Sequence, residues 1–528
     1  MNRLLSSFVL AVASLAVAPF ASATVLGFDD LPGDGFVPAN YGGLGWSAGD
    51  WFAYGEEQAP FTPHSGSMRV ASGFGDADAK TRDLDLLKAD VIAGTLPKVS
   101  WICATSSGSE HPGASSPAQG AAYIAKVLDA LTANPDVWSK TVLIINVDEN
   151  DGFFDHVAPP APPSYVSWNA DPSQSVLAGA STVDASDEYL GDADGGITTV
   201  DPYKHHPFGL GPRVPLYVIS PWSKGGWVNS QVFDQTSTIR FIEKRFGVME
   251  PNISAWRRAV VGDLMTCFNF ATPNDADLVS SLPDTTARDA ASRALGKTTT
   301  PTVAPVPVLP VQARGIKPSR ALPYALHATA AVVTSPTSLG ATTVRLTFAN
   351  VGTQAAVFHV YDRNNLVAIP RRYTVEAGKT LADTWAPLAS GAHDLWVLAP
   401  GGFHRHFTGN ARRAASAGQS NPHVVLNYDP ANQQLHVQLT NAGPVAAAFS
   451  IAANAYYPAA STTLSVPARG MSAVTLPLAS SGGWYDFSVR VNGQADYSRR
   501  FAGRMETGAD STSDPAMYGA AVGSQYKV

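Results

Sequence analysis

Cysteine is nearly absent: only Cys103 and Cys267 occur among 528 residues, so no disulfide scaffold organises the fold. Spacing leaves open whether the two pair or stay free thiols. A basic excess is missing as well. The formal net charge is −7, a poor match for a nucleic-acid backbone. Charged residues reach only 15% against 45% hydrophobic ones, which excludes a disordered polyelectrolyte and supplies apolar mass for real cores. No run beyond the N-terminus approaches the ~20 apolar residues that cross a bilayer, so no transmembrane segment is expected in the mature chain. What is abundant is turn-forming: Gly 45 and Pro 39 suit many short connections and favour sheets over helical bundles. At ~150 residues per domain, the length predicts three or four domains.

Met1-Asn2-Arg3, an apolar run from Phe8 to Phe20 and Ala21-Ser22-Ala23 follow the order of a signal peptide. Cleavage is expected after Ala23, with export to the periplasm or beyond the cell. A membrane anchor is the alternative, and the shortness of the run argues against it. Residues 24–78 are glycine-rich and aromatic, without helical periodicity, and read as a secreted β segment. From about residue 79 to 297, strand and helix signals alternate, the pattern of a parallel α/β sheet. Thr141–Val147 and Val214–Ile219 are short apolar runs that suit strands covered on both faces, and Val99–Ile102 is a third candidate. Ser116 as N-cap and Pro117 at the first turn open a helix with Tyr123, Ile124, Val127, Leu128 and Leu131 at helical spacing. A second helix is predicted from Thr236 to Phe246, ended by Gly247.

Residues 298–318 carry spaced prolines and read as a semi-rigid linker. Beyond it the chain repeats itself. Leu346-Thr347-Phe348-Ala349-Asn350-Val351-Gly352 and Phe358 correspond to Leu439-Thr440-Asn441-Ala442-Gly443 and Phe449. Phe403, Phe407 and Gly409 likewise match Tyr497, Phe501 and Gly503. Alternation such as Tyr485, Phe487, Val489 and Val491 against Asp486, Ser488 and Arg490 predicts two small β-sandwich modules, 319–413 and 414–507. The small, polar residues 508–528 read as a disordered tail.

The richest chemistry follows the 141–147 strand. Asp148-Glu149-Asn150-Asp151-Gly152-Phe153-Phe154-Asp155-His156 begins at a strand's carboxyl end, where open parallel sheets hold ligands. Clustered acids repel unless a cation neutralises them, so Asp148 and Glu149 are candidate ligands of a divalent metal; a solvated polar turn is the alternative. His111, in a glycine- and serine-rich loop before the first helix, is placed to hold a phosphate oxygen or a metal, or simply lies exposed. Tyr203-Lys204-His205-His206 and Arg213 are cations ahead of the 214–219 strand that suit an anion or a surface loop equally. Trp222 and Trp227 could wall a quaternary ammonium group, or pack on the core.

On the run Lys98–Ile102, Ser109-Glu110-His111-Pro112, Ser115–Gly120, Val147–Val157, Gly211–Pro215 and Ile219–Ser223, the chain resembles the bacterial phosphocholine-preferring phospholipase C family. That family is related to the acid phosphatases of the alkaline-phosphatase-like superfamily. The paired modules resemble its C-terminal β domains. The resemblance implies an α/β fold, a partial alkaline-phosphatase-like doubly wound sheet followed by two β-sandwich modules. It further implies a divalent metal held by Asp148 and Glu149, with His111 catalytic and contacting phosphate. Lys204 and Trp222 would help bind phosphocholine-containing lipid at a membrane surface. The implied reaction is attack of a metal-activated hydroxyl on the phosphodiester of phosphatidylcholine or sphingomyelin. The family's N-terminal half, with a Glu-Asn pair and a Thr or Ser nucleophile, has no counterpart here, and residues 24–78 are similar instead to another kind of secreted protein. No nucleophile is therefore assigned; Thr105, Ser106, Ser107 and Ser109 are merely local hydroxyls. A second reading follows from that difference: a catalytically inactive secreted protein that binds lipid or another surface.

Overall fold

The computed structural model describes residues 84–150, 157–191, 204–271, 283–295, 315–334, 342–416, 418–457 and 461–518, plus the backbone of 35–36, 51–54 and 69–72. The expected leader, most of the linker, residues 151–156 and 519–528 lie outside these. The chain divides into two compact units, residues 1–79 with 242–250, and residues 80–241 with 251–528. In the first, β1 (Gly35–Phe36), β2 (Trp51–Tyr54) and β3 (Arg69–Ser72) form an antiparallel sheet.

The second unit begins with α1 (Leu84–Ala93) and α2 (Pro117–Leu131). The latter starts as the sequence predicts: the Ser116 hydroxyl accepts the Gln119 amide, and Pro117 occupies the first turn, where no N–H is needed. Val127 and Leu131 bury against Val91 of α1, and Leu143 joins them. Next come α3 (Pro135–Trp138), β4 (Leu143–Asn146), β5 (Tyr165–Ser167), β6 (Val176–Leu177), β7 (Gly179–Ser181) and β8 (Leu216–Ile219). Helices α4 (Thr236–Phe246), α5 (Ala255–Val260) and α6 (Thr286–Ala294) complete this region.

Three details differ from the sequence reading. The pair β4 and β8 runs antiparallel, with Leu143 opposite Ile219 and Asn146 opposite Leu216. A parallel pair needs a crossover, usually helical; here the described connection is extended chain and short strands, and the second strand simply returns along the first. Neither strand is sheathed on both faces, since Tyr217 is 57% exposed. Val99–Ile102 forms no strand at all: the backbone bends at Lys98 and Val99, and Trp101 is 68% exposed in open loop. Of the two states that spacing left open for the cysteines, Cys103 and Cys267 are both free thiols.

From residue 315 the chain is nearly all strand: β9 (Pro318–Ser319), β10 (Leu326–Thr334), β11 (Thr342–Asn350), β12 (Ala356–Asp362), β13 (Arg371–Val375), β14 (Thr380–Trp385), β15 (Ala392–Ala399) and β16 (Phe403–Asn410). A short α7 (Ala411–Ala415) leads to β17 (Pro422–Asp429), β18 (Gln434–Asn441), β19 (Ala447–Ala455), β20 (Ser461–Val466), β21 (Met471–Pro477), β22 (Trp484–Val491), β23 (Gln494–Arg504) and β24 (Ser511–Thr512). Each predicted repeat is a sandwich. In the first, β10-β11-β14 faces β13-β12-β15-β16, and Phe348 stacks on Tyr373 across the gap at 4.4 Å. In the second, β17-β18-β21 faces β20-β19-β22-β23.

The Asn-x-Gly signal that revealed the repeat has a shared structural job. Asn350 donates to the carbonyls of Gln354 and Val375 and accepts from the Gly352 amide. Asn441 does the same for Val445, Pro467 and Gly443. Both side chains are fully buried, so each amide satisfies loop backbone groups that no ladder reaches. Gly352 and Gly443 leave room for a backbone carbonyl: an added Cβ would lie 2.3 Å from Pro323 O and 2.2 Å from Gln419 O.

The two sandwiches are fused edge to edge. Strands β16 and β23 pair antiparallel, with Arg405 opposite Phe501, His406 opposite Arg500 and Phe407 opposite Arg499, a register symmetric about the central pair. Arg405 is buried there over the Phe403 ring at 4.0 Å, and its guanidinium donates to the hydroxyls of Tyr428 and Tyr485 at 2.9 Å each. The resulting sheet continues to β13, where β7 adds as a ninth, parallel strand. The expected disordered tail is partly ordered. Ser511 and Thr512 pair with Ser319 and Pro318, and Asp510 bonds Arg320 at 3.1 Å, because β9 offers an unpaired edge and a cation.

His359 and His393 are buried in this sheet, and burial pushes each imidazole down to about 3, with the charges of Arg372 and Arg499 adding to it. They are neutral in the fold and take protons on unfolding below the ordinary ~6.5. The stability they carry is thus complete above that value and is lost as the pH falls toward 3. Urea unfolding of the β modules should weaken by about 1.4 kcal/mol per pH unit for each histidine below pH ~6. His393→Phe should remove one such contribution; an unchanged pH slope in that variant would show that the imidazole is not held neutral.

Candidate active site

Loop 105–116 is folded tightly onto itself. The His111 carbonyl accepts the amides of Ala114 and Ser115 at 2.9 Å each, and its Nδ1 accepts the Gly113 amide at 3.1 Å. With Nδ1 accepting, the other ring nitrogen, Nε2, is the one that can donate, a role suited to a phosphate oxygen. Glu110 reaches this turn with φ +69°, and its side chain lies so close to α2 that a Cβ at Gly120 would sit 2.1 Å from it. Helix α6 braces the loop through Ser292 on Ser116 at 2.6 Å and Arg293 on the Ser107 carbonyl at 3.3 Å. Three of the loop hydroxyls are engaged locally: Thr105 meets Ser107, and Ser109 donates to the Ser106 carbonyl.

Asp148 and Glu149 are exposed beyond the end of β4. One carboxylate oxygen of Asp148 accepts the Glu149 amide at 3.0 Å. The backbone here is held by Gln235, whose Nε2 donates to the carbonyls of Val147 and Asp148 at 3.2 Å each. Asp151, Asp155 and His156 lie outside the described residues. Among the described residues no third His, Cys, Asp or Glu gathers with the pair. Two carboxylates, one partly occupied, fall short of the four ligands of zinc or the six to eight of calcium. The described residues therefore do not form a complete cation site.

The antiparallel register decides which other candidates belong here. Because Asn146 lies opposite Leu216, the chain entering β8 from Lys204 and Arg213 arrives at the Asp148 end of the pair. Trp222 leaves at the other end, beside Leu143, with ~10 Å of paired strand between. It is half-buried against Phe270, ring centroids 5.5 Å apart, and Arg320 covers a face of Trp227 at 4.1 Å. Each indole thus has one packed neighbour. Lys204 is half-buried, and its neighbour His205 stacks on Trp168 at 3.6 Å, with the rings nearly parallel. Trp168 carries no motif, and sequence reasoning passed it by.

A second set of residues supports the tip from beneath. Asp234 accepts the Thr236 amide and hydroxyl at the start of α4, adjoining Gln235. Arg257 pairs with Asp234 at 2.6 Å and with Glu188 at 2.9 Å, both carboxylates being buried, and also donates to the Gly209 carbonyl at 2.8 Å. Only the Asp-x-Thr helix start at 234–236 was visible as a sequence signal.

Residues 52–249 match the phosphoesterase family, and residues 318–410 and 422–504 each match the bacterial phospholipase C C-terminal domain. The chain thus carries a phosphoesterase domain followed by two copies of the bacterial phospholipase C C-terminal domain. It is 50% identical to the non-hemolytic phospholipase C of Pseudomonas aeruginosa, over 83% of this chain and 61% of that protein. The non-hemolytic phospholipase C of Burkholderia pseudomallei is 44% identical, over 82% and 58%. The hemolytic phospholipase C of Pseudomonas aeruginosa is 40% identical, over 83% and 60%. The chain spans about three fifths of the length of these relatives.

Removing one partner of a buried ion pair strands the other charge and costs ~3–5 kcal/mol. Arg257→Leu should lower stability by about that amount, read by urea unfolding, and should speed amide exchange at residues 147–150, which depend on Gln235. Wild-type exchange there in a folded variant would break the link between this cluster and the tip.

Proposed function

We propose that the chain acts as a secreted or periplasmic phosphodiesterase of the phospholipase C type. It would release phosphocholine from phosphatidylcholine or sphingomyelin and leave diacylglycerol or ceramide. What carries the reading is the phosphoesterase match together with the phosphate-directed donor at His111 and the acidic tip at Asp148, both within it. In the reaction, the phosphorus–oxygen bond to the lipid alcohol breaks, water supplies the new oxygen on phosphorus, and a proton passes to the leaving alkoxide. His111 offers its Nε2 proton to a phosphate oxygen as charge gathers there, a contact that strengthens in the transition state.

Carboxylates repel a phosphodiester anion, so the tip needs neighbouring positive charge. Arg213, three residues ahead of Leu216, enters β8 at the Asp148 end and has the right sign. A divalent cation would serve the same end, with Asp148 and Glu149 as its donors among the described residues.

The test is turnover of a soluble phosphocholine ester and of phosphatidylcholine by the purified chain. Asp148→Ala should reduce kcat by roughly 10²-fold or more, and His111→Asn should lower it while raising KM less. Dialysis against a chelator, followed by zinc, calcium or manganese, reads directly whether a cation takes part. Turnover that persists undiminished in Asp148→Ala would remove the tip from the mechanism.

A further inference from the structure

The β12–β13 connection ends in an apolar tip held out into solvent. Leu366, Val367 and Ile369 are exposed, Val367 by 97%. The turn is braced from within: the Asp362 side chain accepts the Asn364 amide at 3.0 Å, its carbonyl accepts Asn365 at 2.9 Å, and Asn365 accepts Ala368 at 3.2 Å. These bonds prevent the loop from folding its apolar side chains back onto the sheet. A second apolar tip stands beside it. Gly179 of β7 is in register with Arg372, and the Arg372 amide donates to the Ala178 carbonyl at 3.0 Å. The preceding Val176 and Leu177 therefore continue past Arg372 toward the tip, and both are exposed. Trp168, on the same β5–β6 hairpin, is 45% exposed.

The base of this surface carries closed ion pairs. Arg363 lies over Trp396 at 4.4 Å and pairs with Asp394 at 3.6 Å; Arg371 lies over Trp385 at 4.6 Å and pairs with Asp383 at 2.8 Å. The corresponding connection of the second module differs: it opens with Tyr456, whose hydroxyl is bonded to Asp514 at 2.6 Å. In sequence, that second connection, residues 456–460, holds no leucine, valine or isoleucine.

We infer that this surface docks the protein on a zwitterionic lipid bilayer. Val367 is almost wholly exposed at its tip, which suits insertion between head groups, and Arg363 and Arg371 at its base are each matched to a carboxylate, so these cations do not call for anionic lipid. A partly exposed tryptophan at its flank fits the interfacial preference of indole. The inference rests on the lipid-directed reading above and assigns that reading its membrane contact, at a place distinct from Asp148 and His111.

The full chain should co-sediment with phosphatidylcholine vesicles, with little dependence on salt. Leu366→Asp with Val367→Asp should reduce the partition roughly tenfold or more without shifting the melting temperature, and Val367→Trp should tighten it. Turnover of the soluble phosphocholine ester should be unchanged in these variants. Failure of the wild type to pellet, or equal pelleting of the aspartate variant, overturns the docking. So does a change confined to oligomeric state in sedimentation velocity, which would make the tip a protein contact. A chain that pellets but hydrolyses neither ester overturns the enzymatic reading while leaving the docking in place.

Discussion

The addition of β7 to the edge of β13 is the constraint on which the rest of the second unit leans. Three paired residues, 179–181 against 372–374, attach the phosphoesterase segment to a sheet built by the β modules. Trp256 then inserts beside this seam, fully buried, with its indole donating to the Thr374 hydroxyl at 2.9 Å. Val260, Ala355 and Val357 close a small core around it. An edge strand is ordinarily an exposed template for pairing, and here it is consumed by the chain itself. The modules are therefore packed against the phosphoesterase segment through this seam, and not tethered to it as an appendage.

From that seam a chain of contacts runs toward the acidic tip. Trp256 fixes α5; Arg257 on α5 neutralises Asp234 and Glu188; Asp234 caps α4; and Gln235, next in sequence, holds the backbone of Val147 and Asp148. The bonds of Trp256, Arg257 and Asp234 are directional and lie in partly dry surroundings, where such bonds are strongest and their loss most costly, whereas those of Gln235 are exposed. The tip itself is exposed and carries its charge to solvent. Its geometry is set from beneath, by residues that never touch a substrate.

Features governed by local patterning were legible in the sequence. Helix α2 begins at its Ser-Pro signal, α4 spans the predicted range, and the repeat appears as twin sandwiches with Asn350 and Asn441 in equivalent roles. What sequence could not give was direction and distance. The apolar runs at 141–147 and 214–219 look alike whether parallel or antiparallel, and that single choice moved Trp222 away from Asp148. Val99–Ile102 has strand-like residues but pairs with no described strand, and a strand is defined by its partner. The Glu188–Arg257–Asp234 cluster draws on residues separated by tens of positions, which no spacing rule connects. Likewise, the order in residues 508–518 depends on β9, nearly two hundred residues earlier.

The seam between β16 and β23 also has a bearing on origin. Two copies of one module meet through the same edge in opposite directions, with Arg405 and Phe407 of one facing Phe501 and Arg499 of the other. This is the geometry of an isologous contact, in which one surface is its own complement. A solitary module, cut from its twin, would leave this edge bare and could restore the ladder by joining another of its kind. The duplicated polypeptide has, in effect, internalised a homodimer, making permanent and concentration-independent an association that separate subunits would have to find by diffusion.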